Sequence, residues 1–415
     1  MGSYYLKLVS TNARLGSLFI RAITIVSKSL LILFLARLLD PIQVGIFGLM
    51  VASVSFLVLI AGGDYYVYSH RELINSTDEN KSFVIQHHFF AITVIYTIFI
   101  IPLIYIYQLF NKVPSVLYFW FIPILLVEHI SQEIHRYLIL LQDQLKANII
   151  LFIRMALWVW VALALMFMFV EMRNLKTVFL CWFFGCLFSV ILGFGVLVQK
   201  IKPFKFYALD KKWLVRGFYI AFLYILGTLS FRALFTLDRY VIEHYVGGTF
   251  LGVYSVYMSM AMLLVTTVDT VVISFTYPKM MFAFGAGDFN LYRKEMLKMF
   301  FGAVCVGVIV FIVFVIFAPT VIAFIGKPIY SEHINVFWIL LFMAFVYNLS
   351  IVPHYGLYAK GKDKSILISH FLGAIVFFII VLALVGKFPF SAVAYGLLFS
   401  FIVVAFLKLY FINKA

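Results

Sequence analysis

The sequence predicts an all-α polytopic membrane protein with twelve transmembrane helices in two parallel six-helix bundles. Three observations lead there. Of the 415 residues, 65% are hydrophobic and only 12% charged, and the mean hydropathy of +1.09 lies far above that of a soluble domain. Apolar segments long enough to cross a bilayer recur twelve times. Lys and Arg gather on one side of those segments, which is the topology signal of membrane proteins.

In chain order the segments run over residues 17–39, 45–61, 84–107, 115–141, 149–170 and 175–198, then 216–237, 249–274, 296–320, 335–357, 365–385 and 390–409. An even count puts both termini on one side. With that side cytoplasmic, inside segments hold twenty of the 32 Lys and Arg, Lys408 among them, and outside segments hold six. The other six, Arg21, Lys28, Arg37, Arg136, Arg154 and Arg232, lie within spans. Shifting the count by one span would destroy this asymmetry. Most of the +15 net charge is therefore a topology signal, and no nucleic-acid partner is expected. Residues 1–16 lack the charged, apolar and small-residue order of a cleaved signal and are expected to be retained. Cys181, Cys186 and Cys305 sit inside apolar spans, where they read as small packing residues and not as a disulfide framework.

The basic stretch 200–215 reads as a cytoplasmic linker between an N-terminal bundle, 1–199, and a C-terminal bundle, 216–415. A weak internal echo supports two related halves. Gly45-Ile46-Phe47 at the start of span two returns as Gly252-Val253-Tyr254 at the start of span eight, and Phe119-Trp120 returns as Phe337-Trp338. Six spans per half make such repeats parallel rather than inverted.

Catalysis is the less favoured reading. The connections are short, and there is no phosphate-cradling Gly-rich loop with its Lys, no HExxH and no Cys/His cluster at metal spacing. No catalytic residue, metal or cofactor is expected. A membrane-embedded glycan polymerase or acyltransferase using the span-four His and Arg is the enzymatic alternative.

The charges inside the spans carry the functional reading, because a cation at mid-bilayer costs roughly 2.5–3.5 kcal/mol and faces a wet or protein-lined interior. Arg21 and Lys28 are seven residues apart, within about 20° of one direction on a helix. Span four holds the densest cluster, Glu128, His129, Gln132, Glu133, His135 and Arg136. His129, Glu133 and Arg136 share one face and Glu128, Gln132 and His135 the adjacent one. Such a cluster either stitches helices together as a self-neutralising network or lines a wet groove whose Glu and His exchange protons. Arg136, Arg154 and Arg21 lie near the cytoplasmic side and are expected to form a cationic vestibule, with Lys28 about 10 Å deeper. Arg232 reads as an exit site or an interface anchor, Arg37 as an anchor, and Asp269 as a partner for a cation. Arg and Lys in a cavity predict an anionic substrate group. The lipid-facing exterior suits a substrate whose apolar tail stays in the bilayer.

The order of these features resembles the Wzx-like O-antigen and polysaccharide repeat-unit flippases of the multidrug/oligosaccharidyl-lipid/polysaccharide (MOP) exporter superfamily. The residues that carry it are Arg21 and Lys28 ahead of Ala36-Arg37-Leu38-Leu39 and Gly45-Ile46-Phe47-Gly48; Glu128, Glu133 and Arg136; and Asp238-Arg239-Tyr240 followed by Gly252-Val253-Tyr254-Ser255. The resemblance implies a V-shaped two-lobed fold in a bacterial inner membrane. It further implies transfer of an undecaprenyl-diphosphate-linked glycan to the outer leaflet by alternating access, with cavity cations on the diphosphate. Coupling to H+ or Na+ through Glu128 or Glu133, and work beside a polysaccharide polymerase and chain-length machinery, follow from the same resemblance. A MATE-like drug or organic-ion antiporter would share the fold but calls for an acidic cavity.

Overall fold

The computed structural model describes residues 11–77, 80–102, 104–105, 115–202 and 204–414, and among these the regular structure is entirely helical. Most of the N-terminal stretch expected to be retained lies outside the described residues. The helices are α1 Thr11–Leu38, α2 Pro41–Gly62, the short α3 Tyr65–Asn75, α4 Lys81–Ile100, α5 Ser115–Leu140, α6 Gln144–Met168 and α7 Leu175–Lys200. They continue as α8 Lys211–Tyr245, α9 Gly248–Gly285, α10 Phe289–Ile325, the short α11 Pro328–Glu332, α12 Ile334–Ala359, α13 Asp363–Leu384 and α14 Pro389–Lys414. Each predicted span has its long helix. Ten are apolar enough by length and composition to cross a membrane; α5, with the 128–136 cluster, and α8, with Arg232, complete the twelve. The protein is a multi-pass membrane protein. Apolar side chains lie on its surface, as on α10, where Phe301, Ile309 and Ile316 are exposed.

Local chemistry sets the helix ends. Asn174 caps α7 by accepting the Thr177 amide at 3.0 Å, and Asp288 caps α10 by accepting that of Leu291 at 2.9 Å. Pro41 opens α2, where its missing N–H costs nothing. Gly326, at φ 75°, closes α10 in the left-handed region that favours glycine. Three helices carry a π turn: Tyr96–Ile100 in α4, Ile153–Leu157 in α6 and Asp269–Ile273 in α9.

The chain forms two compact units, Met1–Leu31 with Ser53–Leu226, and Ile32–Ala52 with Gly227–Ala415. In the first, Ile134, Tyr137 and Leu138 of α5 pack with Ala147 and Ile150 of α6 and Leu197 of α7. The polar stretch between spans two and three contains α3, whose Tyr65 and Tyr68 are buried against Trp213. The basic connection before α8 docks on α4. Gln86 exchanges two hydrogen bonds with the Tyr207 backbone, at 2.7 and 2.9 Å, and His87 Nε2 accepts the Asp210 amide at 2.8 Å. Between α5 and α6, Asp143 pairs with Lys200 at 3.0 Å and Lys146 at 3.5 Å.

In the second unit the echoing glycines meet. A Cβ on Gly45 would lie 2.6 Å from the Gly248 carbonyl oxygen, and one on Gly252 would lie 1.9 Å from that of Pro41. Backbone thus approaches backbone, as small residues permit between membrane helices. Lys327 Nζ donates to the carbonyls of Ala36, at 2.7 Å, and Leu39, satisfying orphan acceptors at the end of α1. Arg37 donates to the Phe324 carbonyl at 3.2 Å and lies over that residue's ring. Lys408, counted from sequence with the cytoplasmic charges, is instead 2% exposed, because α14 runs on to Lys414 and the Lys408 face packs inside the unit.

Gly252→Ala should destabilise by roughly 1–3 kcal/mol, the usual cost of overpacking, while Gly195→Ala, with nothing within 4 Å, should be neutral or mildly stabilising; thermal unfolding in detergent compares them. Burial pushes the Asp143 carboxyl up, but Lys200 and Lys146 outweigh that and hold it below its ordinary range. The contribution is therefore full above the unfolded value of about 3.9 and lost as pH falls through the lower folded value. Asp143→Asn should cost at most about 1 kcal/mol at pH 7, the scale of a partly exposed pair, and the difference should vanish in acid.

Candidate functional site

The first unit concentrates its intramembrane charge on α5 in two strips, as a 3.6-residue period dictates. On one, Glu133 is fully buried. It accepts from His88 Nε2 of α4 at 3.1 Å, ion-pairs with Arg136 one turn along, and faces His129 Nε2 at 3.5 Å. His88 Nδ1 lies 2.9 Å from Ser69 Oγ on α3, and that hydroxyl accepts from Tyr137 at 3.1 Å. His129 Nδ1 lies 3.1 Å from the Tyr96 hydroxyl, and the Arg136 guanidinium lies 4.0 Å over the Tyr66 ring. A buried carboxylate needs this many partners to remain in an apolar bundle.

The second strip is less complete. Glu128 Oε1 lies 3.7 Å from Arg154 Nε of α6, while Oε2 accepts from Trp182 Nε1 at 3.2 Å and Cys186 Sγ at 2.9 Å, both on α7. Cys186 is thus a donor to a carboxylate as well as a packing residue. Arg154 belongs to the π turn of α6, and its carbonyl accepts from Trp158 Nε1 at 2.9 Å. Its side chain is only 6% exposed. Nε and Nη1 have no hydrogen-bond partner, and Nη2 has only a 3.7 Å contact with Met155 Sδ. A guanidinium carries five N–H donors, and leaving them unmade in a buried place is costly.

Other charges surround this strip. Lys28 of α1 is exposed, and Glu128, Arg154 and Cys186 are its electrostatic neighbours. The helix is held there by Trp160 Nε1, which donates to Ser27 Oγ at 2.9 Å. Arg21 donates from Nε to Asn148 Oδ1 at 3.1 Å. Arg154, Arg21 and Arg136 all act on His135, whose Nε2 has no partner.

Eight of the ten residues singled out from sequence therefore fall in the first unit: Arg21, Lys28, Glu128, His129, Glu133, His135, Arg136 and Arg154. Arg232 and Asp269 fall in the second, exposed, and both act on Tyr347. Sequence reasoning passed over His88, Trp182 and Ser69. The His87-His88 pair inside an apolar span was a usable signal; a Trp and a Ser were not.

No protein-family model matches the chain, and no curated protein matches it. Solved structures do. An inward-facing multidrug-resistance MATE-family transporter of the MOP superfamily aligns over 94% of each chain, with a TM-score of 0.72 and 14% identity. The fold is that of these MOP-superfamily transporters. An outward-facing structure of such a transporter aligns over 96% of this chain and 93% of its own, with a TM-score of 0.67 and 12% identity. The MATE multidrug transporter DinF-BH aligns over 96% and 94%, with a TM-score of 0.68 and 15% identity. At such identities the likeness concerns architecture: twelve helices in two bundles.

The Glu133 network makes a stability prediction. Glu133→Gln leaves Arg136 and His88 without their anion and should cost roughly 3–5 kcal/mol, as breaking a buried pair does. Removing both charges in Glu133→Gln/Arg136→Gln should recover part of that loss in thermal unfolding. A double variant no better than the single one would show that the pair is not the unit that matters.

Proposed function

We propose that the protein is a flippase that moves undecaprenyl-diphosphate-linked oligosaccharide repeat units from the cytoplasmic to the periplasmic leaflet of a bacterial inner membrane. It works by alternating access, and an ion gradient or the membrane potential drives it. The observation that carries this reading is Arg154, a buried guanidinium with two nitrogens unbonded. A planar fork of N–H donors matches phosphate oxygens, and a movable ammonium such as that of Lys28 supplies a second point of charge. Glu128 does not satisfy Arg154, since its better hydrogen bonds come from Trp182 and Cys186. Around α5, Arg21, Lys28, Arg136 and Arg154 face two carboxylates, Glu128 and Glu133, so an anionic group is the one that balances the charge.

With both termini cytoplasmic, as the Lys and Arg distribution favours, Arg21, Arg136 and Arg154 lie toward the cytoplasmic side, where the lipid-linked substrate is made. Export of each negative charge then gains about 2.3 kcal/mol per 100 mV of inside-negative potential. Oligosaccharide synthesis supplies the substrate, and a polymerase consumes it on the far side. The neighbours in fold are transporters, which supports a non-catalytic role. A second reading, export of drugs or organic ions, is favoured by the fold likeness itself, since these neighbours are multidrug transporters.

The test is the leaflet distribution of lipid-linked oligosaccharide in cells lacking the protein, complemented with wild type, Arg154→Gln or Lys28→Ala. Cytoplasmic-leaflet accumulation should be relieved by the wild type. Arg154→Gln should lower the rate roughly 10–100-fold, the equivalent of one charge-assisted hydrogen bond. A distribution independent of the protein, together with wild-type export of cationic dyes, would favour the second reading.

A further inference from the structure

The connection between α7 and α8 is not a free loop. Three residues at the start of α4 hold its backbone. Ser82 Oγ accepts the Lys205 amide at 3.5 Å, Gln86 exchanges its two bonds with Tyr207, and His87 Nε2 accepts the Asp210 amide. His87 Nδ1 donates to the Phe83 carbonyl at 2.8 Å, which leaves Nε2 as the acceptor. Asp210 then caps α8, accepting the amides of Lys212 at 2.9 Å and Trp213 at 3.1 Å. The Trp213 ring packs against Tyr68, Phe83 and His87.

These anchors fix a depth. Ser82, Gln86 and His87 are the second, sixth and seventh residues of α4, roughly 2–9 Å from its start, and the apolar stretch of that span begins at Val84. The connection therefore runs along the entry of a membrane span instead of arching away from it. Irregular backbone at that level needs partners within the protein, and the amides of Lys205, Tyr207 and Asp210 have them.

The outward side of the connection is amphipathic. Lys202, Lys205, Lys211 and Lys212 are exposed and form no salt bridge among the described residues. The one acid of residues 202–216, Asp210, is engaged in capping α8. Lys200 is taken by Asp143, and Arg216 shares the surroundings of Tyr68 with Glu72 and Asp210, so neither is counted. Between the lysines stand Phe206, 86% exposed, and the exposed Leu209. Val215 and Tyr219, also exposed, follow Lys211 at helical i+4 spacing. Bare rings and aliphatic groups flanked by ammonium groups suit a membrane surface, where the former enter the acyl boundary and the latter meet phosphate.

We propose that this connection is an interfacial strap that binds anionic phospholipid headgroups of the leaflet on the Lys- and Arg-rich side. Lys202, Lys205, Lys211 and Lys212 take the phosphates, while Phe206 and Leu209 enter the acyl boundary. The hydrogen bonds to α4 hold the strap at the depth where both contacts are made together.

Two measurements on the purified full-length protein test this. In detergent, native mass spectrometry compares titration with phosphatidylglycerol and with phosphatidylcholine. The wild type should bind the anionic lipid more tightly, and Lys202→Gln/Lys205→Gln and Lys211→Gln/Lys212→Gln should each weaken that binding roughly 30-fold at low salt, about fivefold per lysine. In vesicles of phosphatidylcholine and phosphatidylglycerol, Phe206→Cys on a Cys181→Ser/Cys305→Ser background is spin-labelled. The label should collide more often with oxygen than with a water-soluble nickel chelate, a readout that needs none of the lysine variants. Equal affinity of the wild type for the two lipids, unchanged binding in both lysine variants, or a label reached by nickel in preference to oxygen would overturn the proposal. The last result would place the strap in water, open to an acidic soluble partner instead. Neither measurement involves a glycan, so neither outcome bears on the flippase reading.

Discussion

Everything in this structure follows from the cost of holding charge inside hydrocarbon. The chain places ionisable groups at membrane depth, and each must be paired, hydrated or used. Glu133 is paired so thoroughly, by Arg136, His88 and the approach of His129, that it joins α3, α4 and α5 into one body. Arg154, one helix away, is not. That contrast within a single bundle separates polar side chains whose hydrogen bonds are met inside the unit from one whose donors are not.

The backbone reflects the same division. The π turn that presents Arg154 gives its carbonyl to Trp158, and another begins at Asp269 in the second unit. Such turns interrupt a helix locally and frequently mark functional sites. By contrast, the Gly45–Gly252 contact is pure packing: backbone lies against backbone where any side chain would collide.

Much of this was legible in the sequence. The twelve spans were readable because apolar length and the side of Lys and Arg are one-dimensional signals, and the Glu133–Arg136 pair because one helical turn relates its members. The partners of Glu133 across helices were not: His88 lies 45 residues away, and only the packing of α4 on α5 joins them. Nor could a Cys and a Trp be read as donors to Glu128. Lys408 was misplaced because composition does not show how far a helix runs past its apolar stretch, or which of its faces is covered. The polar segment between spans two and three gave no sign of α3, since the apolar surface of that helix is carried by tyrosines that dock on Trp213.

The central claim, that Arg154 and Lys28 receive an anionic diphosphate head group, is tested most directly by binding to the purified protein. Affinity for undecaprenyl diphosphate is measured for wild type and Arg154→Gln at increasing salt, with a lipophilic cation as competitor. The account predicts saturable binding that weakens roughly 10–100-fold in Arg154→Gln, the worth of a charge-assisted hydrogen bond, and that the cation does not displace. Binding of the cation in preference to the diphosphate, or equal diphosphate affinity in the variant, would contradict it.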